Sequence, residues 1–258
     1  MSKSAALEPG PILITGAGQR IGRAIALDLA RRGHPIGIHV NTSTGPGEEV
    51  ATLIRNGGGQ AQVIRANLGT MADVDRIVPE MARGIGAPHV LINNASMFVY
   101  DDVATLDHGL YGQHLAVNLE APVFLAKALA DHLPAGAPGN VINIIDQRVW
   151  KPTPHFLSYS IAKAGLWAAT QQLAQALAPR IRVNAIGPGP VLQSVHQTAE
   201  DFAQQAKATL LGRGTSPDEI AAAIRFILDA PAMTGQMIAL DGGQHLAWQT
   251  PDVGDGRG

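Results

Sequence analysis

Short apolar runs rich in Ile, Leu and Val alternate with longer amphipathic stretches through most of the chain, which predicts βαβ units wound into one sheet. The first run, Pro11-Ile12-Leu13-Ile14, reads as a strand covered on both faces. A helix is predicted over 20–32, with Ile21, Ala24, Ile25 and Leu29 on one face and Gly33 as its stop. A second strand over 35–40 leads into a Gly/Pro/Thr-rich loop, a short helix around 48–55 and a stop at Gly57-Gly58-Gly59. Segments 62–66, 89–92, 141–145 and 181–185 read as four more strands, and Ile238-Ala239-Leu240 as a seventh. Long helices are predicted over 104–132, with an early break, and over 158–178, where Ala and Leu dominate. Such small-residue faces suit close packing, including packing between subunits.

The 258 residues are 46% hydrophobic, enough for one large core, so the whole chain 1–258 reads as a single domain. Nineteen Lys and Arg against 21 Asp and Glu leave a formal charge of -2, too little field to hold a nucleic-acid backbone or an anionic membrane. Neither is an expected partner. The absence of cysteine excludes disulfides, thiolate metal sites and thiol nucleophiles, and suits a reducing compartment, so the cytoplasm is the expected location. Residues 1–7 lack the apolar stretch of a signal peptide, and no later run approaches bilayer-spanning length. No pair of the nine His falls in a metal-ligand pattern, and no metal is expected.

Directly after the first strand, Thr15-Gly16-Ala17-Gly18-Gln19-Arg20-Ile21-Gly22 opens a helix. Backbone N–H groups at a helix N-terminus suit a pyrophosphate, and glycines allow its close approach. The strand-turn-helix context favours dinucleotide binding on a Rossmann-type doubly wound fold over a merely structural turn. A carboxylate at the end of the second strand would suit the ribose hydroxyls of NAD. The run here is His39-Val40-Asn41-Thr42-Ser43, with no carboxylate before Glu48. Neutral donors from Asn41, Thr42 and Ser43, with Arg20 as a cationic partner, favour the 2'-phosphate of NADPH. The same polar run also serves as a turn that caps the next helix, whichever dinucleotide binds.

Tyr159-Ser160-Ile161-Ala162-Lys163 places a phenol and an ammonium four residues apart, on one helical face. A free Tyr titrates near pH 10, so a mobile proton near neutrality needs a downward shift of about two to three units, to which an ammonium contributes. Together with Thr15-Gly16 to Gly22, Asn93-Asn94-Ala95, Asn118, Pro188-Gly189 and Asp241-Gly242-Gly243, this pattern resembles the short-chain dehydrogenase/reductase family over about residues 10–246. The resemblance implies a seven-stranded parallel sheet flanked by helices and a homotetramer. It makes Tyr159 the proton donor in reduction, Lys163 its cation and ribose ligand, and Asn118 part of a proton relay; alone, Asn118 reads as a helix-interior side chain with a local hydrogen bond. It also implies cofactor contacts at Gly16, Gly18, Ile21, Gly22, Asn67, Leu68, Asn94, Ala95, Ser96, Pro188 and Gly189, with Asn67 standing where the family often has an Asp facing adenine.

Two departures narrow the substrate. Thirteen residues before the Tyr the family usually has Ser, donating to a substrate carbonyl; this chain has Asp146. An ionised carboxylate cannot donate, so either Asp146 is protonated or the acceptor is not a simple ketone. Arg20 replaces the usual middle glycine of the phosphate loop. Both departures occur in the pteridine reductases, which the chain resembles further through Asn94-Ala95-Ser96-Met97-Phe98. The overall pattern also resembles bacterial dihydromonapterin and dihydrofolate reductases.

The pteridine reductase resemblance implies that Arg20, Ser96, Phe98, Asp146 and Tyr159 meet the substrate. Phe98 would stack on a pterin, and Asp146 would cooperate with Tyr159 in protonation. Phe98 as an ordinary core aromatic is the alternative. The implied substrate lid spans about 189–211, with Gln193, Ser194 and His196 as candidate contacts. The tail 248–258 reads as loosely ordered, or as placing Trp248 over a partner subunit's pocket. Reduction of a carbonyl such as a 3-oxoacyl thioester or a sugar, and non-catalytic NADPH sensing, are the rival functions.

Overall fold

The computed structural model describes residues 10–193 and 197–248. Ser194, His196 and 249–258 lie outside the described residues. Seven parallel strands form one sheet: β1 (Ile12–Ile14), β2 (Ile36–Val40), β3 (Ala61–Arg65), β4 (Val90–Asn93), β5 (Gly139–Ile144), β6 (Ile181–Pro188) and β7 (Met237–Leu240). Their order is β3-β2-β1-β4-β5-β6-β7, so the winding reverses between β1 and β4, where a crevice opens at the strands' carboxyl ends. This is the doubly wound Rossmann-type arrangement that the alternating pattern predicts.

The all-apolar reading of the strands follows from helices on both faces. Ile12, Ile14, Ile36, Ile38, Ile92, Ile142 and Ile186 pack with α1 (Arg20–Ala30), α2 (Gly45–Asn56) and α8 (Pro217–Asp229). Alternate residues, including Leu13, Leu91, Val141 and Val183, pack with α3 (Met71–Gly84), α5 (Ala121–His132) and α6 (Leu157–Leu177). Each buried Ile or Leu contributes about 1.5–3 kcal/mol, so two such layers fix which strand face meets which helices.

Several predicted bounds move. The second helix begins at Gly45 rather than near 48, because Pro46 falls in its first turn, where a missing N–H costs nothing. The stretch 104–132 divides into α4 (His108–Leu115), a π-helical turn (Ala116–Glu120) and α5, with 104–107 non-helical. α3 carries Pro79 in its interior, which hid it from a reading by breakers. α7 (Ala199–Lys207) lies in the segment expected to form the lid.

Candidate active site

At the crevice, Gly16 adopts a left-handed φ of +65° and its N–H donates to His39 Nδ1 at 3.2 Å. The other ring nitrogen, Nε2, meets the Ala66 carbonyl at 3.0 Å and therefore carries the proton of a neutral imidazole. Burial pushes His39 down to about 4, so the ring stays neutral and ties the phosphate loop to the ends of β2 and β3. Thr15 Oγ1 accepts from the N–H groups of Asn94 and Ala95, both at 2.9 Å. The Asn94 amide in turn donates to the carbonyls of Thr15 and Gly16. A Cβ on Gly22 would sit 2.2 Å from the Gly16 carbonyl, so only glycine lets α1 begin this close to the loop. Arg20, standing where the family has glycine, takes a φ of +52° and donates through Nη2 to the Leu192 carbonyl at 3.2 Å.

This loop borders a cavity of about 900 Å³. Its lining gathers Gly16 and Gly18 to Gly22, the Asn41-Thr42-Ser43 run, Asn67 and Leu68, and Asn94 to Ser96. Among the described residues no carboxylate lines it, and Arg20 supplies a cation, so the donor set fits a dinucleotide with a phosphorylated ribose. The Asn67 amide oxygen already accepts from Gly69 N–H at 2.9 Å and keeps one lone pair for a ligand.

An adjoining cavity of about 380 Å³ holds Tyr159, Lys163, Asp146, Pro188 and Gly189. It shares Arg20, Ile21, Asn94 and Ser96 with the first. Tyr159 Oη donates to Asp146 Oδ2 at 3.0 Å, and Asp146 Oδ1 accepts from Arg148 N–H at 2.8 Å. Burial and the Asp146 carboxylate push the Tyr159 phenol well above its ordinary value. That is opposite to the downward shift expected from the neighbouring ammonium: the phenol is held protonated as a donor. Lys163 Nζ donates to the Ile144 carbonyl at 2.9 Å, and burial lowers Lys163 to about 8, opposed by attraction to Asp146.

Asn118 lies in the π-helical turn and does not bond Lys163. Its Oδ1 accepts from Ser96 Oγ and Met97 N–H, both at 3.0 Å, and its Nδ2 donates to the Met97 carbonyl. It clamps the segment that carries Phe98. Phe98 lines the smaller cavity and stacks on Phe156, with centroids 4.2 Å apart and planes 8° from parallel. The Tyr159 ring meets it edge-on at 4.7 Å. Gln193 is exposed, donating to the Gln197 carbonyl at 2.6 Å, and does not line the cavity.

Residues 16–245 match the short-chain dehydrogenase family model described as Enoyl-(Acyl carrier protein) reductase. The chain belongs to the short-chain dehydrogenase/reductase family. A solved structure of FolM Alternative dihydrofolate reductase 1 from Brucella suis, in complex with NADP, is 49% identical, superposes with a TM-score of 0.92 and is matched over 94% of this chain and 98% of that one. Dihydromonapterin reductase of Escherichia coli is 28% identical over 93% of this chain and 98% of its own length. A putative ketoacyl reductase of the granaticin polyketide synthase from Streptomyces violaceoruber is 29% identical over 91% and 95%.

Beyond the family's motif residues, this short-chain reductase brings into the site side chains that sequence reasoning missed. Phe156 has the left-handed φ of +55° that starts α6. Arg148 has its guanidinium 5.3 Å from the Phe98 centroid and 5.1 Å from that of Phe156. Beneath Tyr159, the fully buried Asp101 accepts from Ser158 N–H with both oxygens at 3.2 Å. The buried His114 accepts from Val99 N–H at Nε2 and donates from Nδ1 to Ser158 Oγ at 2.5 Å. Arg148, two residues beyond Asp146, carried the only available sequence signal, a cation beside the departed Ser position.

Proposed function

We propose that this oxidoreductase reduces the C=N bond of a pterin or dihydropterin with NADPH. The observation that carries the reading is the Tyr159–Asp146 hydrogen bond, a protonated phenol seated on a carboxylate where a carbonyl-reducing site would offer a hydroxyl donor. The relatives support it: FolM from Brucella suis carries NADP in its crystal structure, and the Escherichia coli relative is a dihydromonapterin reductase. When bound, NADPH supplies the hydride.

The chain's own residues do the rest. Gly16 to Gly22 and Arg20 hold phosphates, Asn41, Thr42 and Ser43 the ribose phosphate, Asn67 and Leu68 the adenine side. Asn94, Ala95 and Ser96 floor the cleft, while Pro188, Gly189 and Lys163 hold the nicotinamide end. A C=N bond that takes hydride on carbon needs a proton on nitrogen. Tyr159 gives it; Asp146 orients the hydroxyl, and the Lys163 ammonium offsets the charge left on the phenolate. Arg20, Ser96 and Phe98 bound the substrate, under a lid over about 189–211. An acceptor carbonyl, as the similarity to a ketoacyl reductase raises, would meet the Asp146 carboxylate where negative charge develops, which opposes catalysis.

The same reading takes 1–258 as one domain and the assembly as a homotetramer. Exposed Phe124 on α5, Ile161 on α6 and Phe226 on α8 supply apolar surface for contacts between copies. It places the enzyme in the cytoplasm, in keeping with the lack of cysteine. No helix among the described residues is long and apolar enough to cross a membrane.

The test follows NADPH oxidation with dihydrobiopterin, dihydromonapterin, dihydrofolate, acetoacetyl thioesters and simple quinones. Turnover of a dihydropterin, strongly reduced in Asp146→Ser, is expected. Undiminished turnover in Asp146→Ser would remove the argument for a pterin. Tight NADPH binding without turnover of any acceptor would identify a sensor.

A further inference from the structure

Among the described residues, three cations and one carboxylate line the smaller cavity: Arg20, Arg148, Lys163 and Asp146. Arg20 donates to the Leu192 carbonyl and Lys163 to the Ile144 carbonyl. Arg148 differs. Its backbone N–H donates to Asp146, but among the described residues its guanidinium makes no hydrogen bond or ion pair, and Nη1 is buried without a partner. Its neighbour Gln147, also on the cavity wall, has a buried amide oxygen that is likewise unpartnered. The stacked rings of Phe98 and Phe156 offer the guanidinium only aromatic contact, with centroids 5.3 and 5.1 Å away, a weaker compensation than a charge-assisted hydrogen bond.

We propose that Arg148 recognises the acceptor edge of the substrate's fused ring, where a carbonyl oxygen lies next to a ring nitrogen, and so selects such heterocycles over simple carbonyl compounds. The inference rests on the pterin-reductase reading and deepens it. A buried guanidinium nitrogen without a hydrogen-bond partner is costly, and a ligand that supplies an acceptor relieves the cost only when bound. A guanidinium is planar and forked, matched to two adjacent acceptors on a flat ring. The 3-10 turn Gln147–Val149, capped by Asp146, fixes the acid and the cation on one rigid element. Whatever ring atom receives the Tyr159 proton therefore has Arg148 beside it. The guanidinium's field also reaches the Tyr159 hydroxyl, where it pulls the phenol down against burial and Asp146. That proximity places it at the ring rather than at a distant substituent.

The experiment compares wild type, Arg148→Met and Arg148→Lys at saturating NADPH, with dihydrobiopterin, whose side chain is uncharged, and dihydrofolate, whose tail is anionic. Met keeps the long stem against the rings; the thermal midpoint is recorded for each variant, and Lys, which keeps the charge, decides if Met fails to fold. KM is expected to rise by about tenfold or more in Arg148→Met, by the same factor for both substrates, with a smaller change in kcat. Arg148→Lys recovers only part, and the NADPH Kd, read by fluorescence, does not move. A loss confined to kcat, a loss confined to dihydrofolate, or a weakened NADPH Kd each overturns the proposal.

Wild-type turnover separates this inference from the functional reading beneath it. Turnover insensitive to Arg148→Met sinks the inference alone. If wild type reduces neither dihydropterin, the functional reading fails, and binding of oxidised pterin to the NADP+ complex, followed by the pterin's own fluorescence, still decides. Binding lost in Arg148→Met upholds the role of Arg148, and no binding to wild type removes it.

Discussion

Tyr159 and Lys163 occupy successive turns of one helix, and the same burial moves them in opposite directions, the phenol up and the ammonium down to about 8. The ammonium therefore loses its charge as pH rises through about 8, and with it the group that offsets the phenolate. The free enzyme's kcat/KM is expected to fall above that pH, and a profile flat to pH 10 would contradict the assignment. Tyr159→Phe should cost about 10²–10⁴ in kcat, measured at saturating NADPH. His39 has the reverse consequence, for stability. Its folded value of about 4 lies below the ordinary 6.5, so above pH 6.5 it is neutral in both states. As pH falls from 6.5 toward 4 the unfolded chain gains a proton that the folded chain refuses, and stability declines, by up to about 3 kcal/mol. Denaturant unfolding at several pH values should show this slope in wild type and a shallower one in His39→Gln. The motif residues were legible because their order along the chain is distinctive. The direction of the Tyr159 shift was not, since it depends first on how deeply the fold buries the phenol and then on Asp146 arriving 3.0 Å away from the end of β5.

At the scale of elements, α6 is the helix on which the chemistry turns, and its own N-cap residue, Phe156, gives it no side-chain cap. The cap comes from elsewhere: the Asp101 carboxylate, 57 residues upstream of Ser158, accepts the orphan Ser158 N–H. A negative charge at a helix N-terminus is stabilising, and here it also fixes where Tyr159 starts. Asp101→Ala should lower the unfolding free energy by about 1–3 kcal/mol and reduce kcat, while Asp101→Asn, which keeps an acceptor, retains more of both. Equal stability of Asp101→Ala and wild type would show that the cap is idle. No local pattern could have announced this, because the partner is distant in sequence. α8, by contrast, is capped locally, by the capping box of Ser216 and Glu219 that the structure forms in full. The π-helical turn was unreadable, since Ala116 to Glu120 has the composition of any helix; Asn118 shows where it points.

Across the whole molecule, strand order follows from the alternation of apolar runs with helices, because a right-handed crossover leaves few ways to wind seven parallel strands. The two layers of core are equally a sequence property, written as Ile and Val at alternate strand positions. Assembly is a property of what the layers leave outside. With Phe124, Ile161 and Phe226 exposed by 45%, 41% and 60%, light scattering should find four chains per particle, and Phe124→Glu should shift the mass downward. A monomeric wild type would refute that. Of the four residues common to both cavities, Arg20 alone reaches across 172 residues of sequence to bond the backbone at Leu192.

Arg20 has traded the freedom of a glycine for a grip. Rooted in the turn at the larger cavity and fastened to the Leu192 carbonyl on the wall of the smaller, it bridges the two. One side chain therefore belongs to the walls of both chambers, and a substitution there should be felt in each.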